Sequence, residues 1–362
     1  MECSSEKKVK DECKSERKVN SKKKAKDDLE LPAKRIPNKK IQENERIASL
    51  KKVLGLDYNH TYGFNELGDK EFKTLRYGFV VGLTDQDLDG FNIFGLIATY
   101  FMTYWPALIQ RGFLRRINTP VIRAYHKNRK TGIVKEFYSE REAREWCTSV
   151  GEVNVKNKYN LKYYKGLGSH KQAFKEVTQI FKKINQKIRT YTLDNHSFET
   201  MAIYYGDDTA PRKINLADPH IDDPIEELLV PITQHFKIDT KLYQRDNIIR
   251  KLLSIPDGFV DSRRKVFFTA RNNGRKEIKV QGLAGKVVAE ANYHHGETSL
   301  EQTIVRMAQG YVSARNLPLL LPLGNFGTRA KGFKDYAASR YIFTVINYRL
   351  TDKLFRKEDD YI

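Results

Sequence analysis

The sequence predicts an α/β domain, a parallel sheet with flanking helices, followed by a mostly α-helical second domain. An apolar run, Tyr77 to Thr84, leads straight into an acidic loop and then into an apolar helical stretch, Ile93 to Ile109. That order of strand, loop and helix is half of a βαβ unit. Four segments of the second half carry apolar residues at helical spacing. Between the halves lies a polar, proline-punctuated stretch, Gly206 to Pro224, which reads as a linker.

Composition bounds the partners. A chain of 362 residues is long enough for about two domains. Hydrophobic residues at 40% and aromatics at 11% can fill their cores. A formal charge of +20 predicts an anionic partner, nucleic acid before an acidic membrane surface. Cys3, Cys13 and Cys147 are odd in number and scattered, which suits free thiols in a reducing compartment and builds no four-ligand zinc spacing. Residues 1–30 hold no apolar signal core. The 93–109 stretch, interrupted by Thr99, Tyr100, Thr103 and Tyr104, is too short and polar to span a membrane.

Taken in order, residues 1–40 form a tail with 14 basic and 8 acidic side chains and almost nothing to bury, so disorder is expected. Its Lys22-Lys23-Lys24-Ala25-Lys26 run fits a nuclear import signal as well as a plain solvated face. Ile47, Leu50, Val53 and Leu54 mark an amphipathic helix ending near Gly55. After the strand, loop and helix of residues 77–109, Val121 to Lys127 and Ile133 to Tyr138 read as strands around an Asn128–Gly132 turn. Ser139 and Glu142 form a capping box for a helix through Trp146. Ser169 and Gln172 form another, with Phe174, Val177 and Phe181 along one face of the helix that follows. The first domain is therefore expected over 41–205 and the second over 225–362. The second should contain helices at Leu242–Leu253, Arg264–Arg271, Leu283–Ala291 and Leu300–Val312. A loop rich in Gly and basic residues, Gly324–Gly332, a strand from Tyr341 to Ile346 and a short closing helix complete it. No internal repeat is evident.

The chemistry concentrates in a few places. Asp85, Asp87 and Asp89 alternate before Gly90 at the carboxyl end of an expected strand, where open α/β sheets place their ligands. Carboxylates so close repel unless a hard cation such as Mg²⁺ neutralises them, although an acidic surface turn has the same look. An EF-hand would need a glutamate at position 96, which is Leu. Lys165-Gly166-Leu167-Gly168 lets a lysine and a helix N-terminus approach a phosphate, or is simply a glycine turn. Tyr293-His294-His295-Gly296-Glu297 lacks the spacing of H-E-x-x-H and suits acid–base work or phosphate contact by one histidine. Arg264, Lys265, Arg329 and Lys331 are cations able to meet backbone phosphates, or ordinary solvated charges. Arg340-Tyr341 pairs a guanidinium with a phenol that can attack a phosphodiester, though most tyrosines do nothing of the kind.

Several ordered motifs bring these residues together. Thr84-Asp85-Gln86-Asp87-Leu88-Asp89-Gly90, KYYKGLG (162–168), IPDGFVDSRRKVFF (255–268), NYHHGETSL (292–300), LPLGNFGTR (321–329) and KDYAASRYIFT (334–344) stand in sequence. In these motifs the chain resembles the eukaryotic-type type II DNA topoisomerases over 41–115, 159–220 and 225–362. The resemblance implies a TOPRIM-like metal-binding domain over 41–205, with Mg²⁺ on Asp85, Asp87 and Asp89, and a winged-helix domain over 225–362. It implies that Tyr341 attacks a DNA phosphate to give a 5′-phosphotyrosyl end, with Mg²⁺ on the partner subunit's acidic loop. Arg340 and Arg264 would stabilise charge at the phosphate, and His295 would support the nucleophile. Lys165, Lys265, His294, Arg329 and Lys331 would contact double-stranded DNA. A nuclear homodimer, without membrane association, would be the working unit.

Departures from the family pattern shape a second expectation. The family's EGDSA motif, with its glutamate, occurs nowhere in the sequence. Ser-His-Ile-Lys-Gly-Leu after the acidic loop is replaced by Phe91-Asn92-Ile93-Phe94-Gly95-Leu96, and Lys-Pro-Gly-Gln before the arginine by Val260-Asp261-Ser262-Arg263. The family uses ATP, yet no segment resembles its ATPase region, and Lys165-Gly166-Leu167-Gly168 lacks Walker spacing. The chain is thus expected to act as a partial subunit with feeble cleavage and no ATP-driven strand passage. The alternative is an impaired DNA-binding relic of the same family.

Overall fold

In the computed structural model of the protein, residues 37–127, 133–138, 140–164, 178, 181–182, 187–221, 227–293, 295–310 and 318–355 are described. Outside them lie nearly all of the lysine-rich tail, the Asn128–Gly132 turn, Ser139 and His294. Lys165-Gly166-Leu167-Gly168, the Ser169 and Gln172 box, Phe174 and Val177 also fall outside. The chain divides into two units after Arg245.

After one short helical turn at Lys39–Gln42, the first unit forms helix α1, Glu45–Leu54. Asn44 accepts from the N–H groups of Arg46 and Ile47 at its start, and Gly55 takes the left-handed conformation (φ 77°) that ends it. Helix α2, Glu66–Lys73, is capped by Asn65. Strand β1 covers Val80–Gly82 and helix α3 Leu88–Tyr104; Pro106 then starts the short α4, Pro106–Gln110. Helix α3 is apolar nearly all round, as a central helix must be. Phe94, Phe101 and Met102 on it are wholly buried with Trp105, Leu108 and Phe113. Each such side chain contributes roughly 1.5–3 kcal/mol on burial.

Among the described residues the unit carries two sheets. Strands β2 (Leu114–Ile117), β6 (Ile188–Thr192) and β7 (Leu229–Pro231) join β1 in the order β1-β2-β6-β7. β1 runs parallel to β2 and β6 parallel to β7, but β2 and β6 are antiparallel. The expected parallel sheet is therefore mixed. Helices α3 and α4 cross from β1 to β2, and helices α7 (Ser197–Tyr205) and α8 (Ala210–Ala217) lie between β6 and β7. Between β2 and β6 the chain instead makes a separate antiparallel sheet of β3 (Ile122–His126), β4 (Ile133–Phe137) and β5 (Tyr159–Tyr163), in the order β4-β3-β5. Helices α5 (Glu140–Val150) and α6 (Glu152–Lys158) accompany it, and Ile122, Ala124, Phe137 and Ala143 form its own small core.

Two boundaries differ from the sequence reading. β1 is three residues long and only half-buried, because it is an edge strand rather than a central one. The expected linker at 206–224 contains helix α8, and β7 beyond it completes the main sheet. From β7 the chain runs through α9 (Ile232–His235) and a π-helical turn (Phe236–Thr240) into α10 (Lys241–Lys251), so the division falls later than expected.

In the second unit, helices α11 (Asp261–Asn272), α12 (Val280–Glu290) and α13 (Glu297–Ala308) pack around Val266, Leu283, Val287, Leu300, Ile304 and Ile342. A small antiparallel sheet of β8 (Ile278–Lys279), β9 (Leu320–Leu323) and β10 (Phe343–Ile346), ordered β8-β10-β9, lies beside them. Helix α14, Tyr348–Leu354, follows. The four expected helices are all present. The strand expected from Tyr341 starts at Phe343, since Tyr341 closes a turn through its N–H to the Ala338 carbonyl at 2.8 Å.

Candidate functional site

The acidic loop joins the carboxyl end of β1 to the start of α3. Asp85 is exposed in the loop, Asp87 is the N-cap of α3, and Asp89 lies in its first turn. Asp87 Oδ1 accepts from the Gly90 N–H at 2.7 Å, so this carboxylate sits at the positive end of a helix. Gly90 is required by close approach: a Cβ there would lie 2.1 Å from the Asp85 carbonyl oxygen. Gly90→Ala should therefore force the loop open, at about 1–3 kcal/mol, the usual cost of overpacking. A lower Tm would register it, whereas an unchanged Tm would mean that the loop has slack.

Among the described residues no three His, Cys, Asp or Glu side chains gather into a group that could hold a metal ion. The three aspartates do not form a closed cage. Their all-oxygen chemistry fits a Mg²⁺ held through one or two carboxylates, with water and a phosphate supplying the rest.

Behind the loop is a polar network that the sequence reading missed. Gln86, between the first two aspartates, donates through Nε2 to Asn118 Oδ1 at 3.0 Å and accepts from Arg116 Nη2 at 3.1 Å. Arg116 on β2 is 4% exposed, and its Nη1 lies 3.3 Å from Asp239 Oδ2 in the π-helical turn. His235 Nδ1 is 2.8 Å from the same oxygen, and its Nε2 is 3.2 Å from the Phe91 carbonyl on α3. Burial alone pushes the Asp239 carboxyl up, but the hydrogen bond and charge of His235, with Arg116, hold it below its ordinary value. The i, i+4 spacing of His235 and Asp239 was the one visible signal.

In the second unit Tyr341 is 66% exposed in its turn, with the Arg340 guanidinium 4.8 Å from its ring centroid. Arg264 on α11 is clasped by Asp257, with Nε 2.5 Å from Oδ2 and Nη2 3.0 Å from Oδ1. That bidentate bond holds the Asp257 carboxyl down to about 2. Lys265 bonds Asp261 at 3.2 Å and the Asn292 carbonyl. His295 lies 3.1 Å from Arg250 Nη1 through Nε2 and edge-on to Tyr293. Arg329 and Lys331 are exposed on a 3₁₀ turn. Thr328 precedes that turn, and its N–H and hydroxyl bond Asp335, holding that carboxyl below its ordinary value. The structure thus brings Arg340 to Tyr341, while Arg264 is held by Asp257, Lys265 bonds Asp261 and His295 lies against Arg250.

Comparison with known proteins defines the class first. Residues 117–219 match the C-terminal associated domain of TOPRIM, and residues 250–362 match the A-type subunits of the DNA gyrase/topoisomerase IV family. DNA topoisomerase 2 of African swine fever virus is 34% identical over 90% of this chain, and DNA topoisomerase 2 of Bombyx mori 37% over 89%. The crystal structure of the Plasmodium falciparum topoisomerase II DNA-binding, cleavage and re-ligation domain superposes with a TM-score of 0.71 at 29% identity. It covers 91% of this chain and 43% of that one. By these matches the chain is similar to type II DNA topoisomerases. It spans 28% of the viral relative and 21% of the insect one.

Proposed function

We propose that this chain is the DNA cleavage and religation part of a type II topoisomerase, acting on double-stranded DNA through Tyr341. The observation that carries the reading is an exposed phenol under an arginine, Tyr341 and Arg340, within the region matching the DNA gyrase/topoisomerase IV family. The phenolic oxygen forms a bond to phosphorus, the 3′-oxygen of the broken strand leaves, and the reverse attack restores the phosphodiester. Arg340 and Arg264 face developing charge on the phosphate, which for Arg264 requires sharing or releasing Asp257. His295 supports the nucleophile. In this reading Asp85, Asp87 and Asp89 hold Mg²⁺, which supplies Lewis-acid stabilisation of phosphate charge when bound. The second unit, with α11–α13 packed on a three-stranded antiparallel sheet, is read as a winged-helix domain. Paired cuts in both strands call for a homodimer, and a nuclear location follows the same reading.

Incubating the full chain with Mg²⁺ and a duplex carrying a 3′-bridging phosphorothiolate tests the proposal. The thiolate leaves but religates poorly, so a denaturation-resistant protein–DNA adduct should accumulate. Complete absence of adduct with intact DNA binding would instead support the impaired DNA-binding reading.

Binding itself should be largely electrostatic. With +20 formal charge, the logarithm of duplex affinity should fall linearly with the logarithm of salt concentration. Arg329→Ala and Lys331→Ala should each weaken binding alike on unrelated sequences and flatten that slope by roughly one unit for each phosphate no longer neutralised. Affinity unchanged between low and high salt would contradict this account.

A further inference from the structure

We propose that the chain of hydrogen bonds Gln86–Arg116–Asp239–His235, with Asn118, is a positioning network that sets the divalent-cation affinity of the acidic loop. The inference rests on reading that loop as a metal site, and it assigns a role to five residues that bear none of the expected ligands. Gln86 divides Asp85 from Asp87, so its side chain fixes the backbone from which both carboxylates project. Arg116 has donors and no acceptor, so Gln86 must turn Oε1 towards it; Nε2 is then left to donate, and Asn118 Oδ1 receives it. Both ends of the amide are thereby occupied by groups at the end of β2.

The other side of the network holds α3. His235 reaches the Phe91 carbonyl, two residues beyond Asp89, and Asp239 ties that histidine to Arg116. The contact is close: a Cβ on Gly95 would lie 2.3 Å from Tyr205 Oη and 3.3 Å from both His235 Nε2 and Thr240 Oγ1. Arg116 also spreads over the Phe91 ring at 4.5 Å. Loop and helix start are thus both fastened to one buried guanidinium. A loop whose carboxylates do not form a cage by themselves depends on such outer support to present them together, and outer partners of metal ligands commonly matter about 10–100-fold in affinity.

The test is a Mn²⁺ titration of the full chain with saturating duplex, read by electron paramagnetic resonance against duplex alone. Gln86→Ala and Asn118→Ala should each weaken Mn²⁺ binding by about 10-fold or more, with metal-free duplex affinity nearly unchanged. Asn118→Ala should also keep its Tm, whereas Gln86→Ala, which leaves a buried Arg116 N–H without its acceptor, should lower Tm. Asn118→Asp, which still accepts from the Gln86 amide, should restore wild-type binding, as a general structural defect would not. If Asp85→Asn weakens Mn²⁺ binding while Gln86→Ala and Asn118→Ala bind as wild type, the positioning role is overturned and the metal reading stands. If Asp85→Asn binds as wild type, the metal reading fails and this inference fails with it.

Discussion

Tyr341→Phe should abolish the covalent protein–DNA adduct and leave duplex binding nearly intact. The change removes one oxygen and keeps the ring beneath Arg340, where the cation–π contact is made. At 66% exposure Tyr341 buries too little for the loss to disturb the fold. A strand break that needs a phenolic nucleophile has no substitute within the same turn. Arg340→Ala should retain the nucleophile and lose preorganised charge, a change that costs about 10²–10³-fold at comparable sites. Adduct formation should then be slowed rather than eliminated. An adduct that persists in Tyr341→Phe would place the nucleophile elsewhere and undo the assignment.

The elements nearest this chemistry were legible for physical reasons. The run from Tyr77 through the aspartates into an apolar helix has one economical solution, a strand ending at a helix N-terminus, and β1, the loop and α3 follow it. Helices α11, α12 and α13 likewise declared themselves by apolar spacing. The strands β2 and β6 did not. Leu114-Arg115-Arg116-Ile117 and Ile188-Arg189-Thr190-Tyr191-Thr192 carry arginines where a central strand is expected to be apolar. The fold accepts Arg116 because Asp239 meets it from 123 residues away, a pairing that no local pattern displays. The mixed sheet was hidden for a related reason: the antiparallel β2–β6 junction depends on the three-stranded sheet set between them.

The candidate site divides the same way. Alternating aspartates and an Arg-Tyr pair are local signals. The clasp of Arg264 by Asp257 is nearly local, seven residues apart, yet only the fold shows that the guanidinium is already engaged. Gln86 was passed over because an amide between carboxylates looks like surface. Its role depends on Asn118 and Arg116, brought alongside when β2 pairs with β1.

Asp239→Ala should be the most destabilising single change in the first unit's polar interior, at about 3–5 kcal/mol. Asp239 accepts from Arg116, whose side chain is 5% exposed, and lies 2.8 Å from His235, whose side chain is fully buried. Deleting the carboxylate leaves the guanidinium buried without its counter-charge, and that orphaned cation accounts for most of the cost. For a unit of this size each 1 kcal/mol moves Tm by roughly 2–4 °C, so a drop of about 6–20 °C is expected by calorimetry. The pH dependence has a definite sign. Asp239 is held below its ordinary value, so its contribution is present above the unfolded-state pKa of about 3.9 and is lost as pH falls through the folded-state value. Wild type should therefore lose stability on acidification below about pH 4, and Asp239→Asn should lose less over that interval. An Asp239→Ala protein melting within a degree of wild type would show that the network carries no such energy. Replacing the three charged or polar groups together, as Arg116→Met, Asp239→Leu and His235→Phe, removes the orphan as well as the pair, so much of the stability should return. Mn²⁺ affinity should not return with it, since Gln86 has still lost Arg116. Separation of the two readouts would show that these buried polar groups are retained for the loop they hold, not for the stability they add.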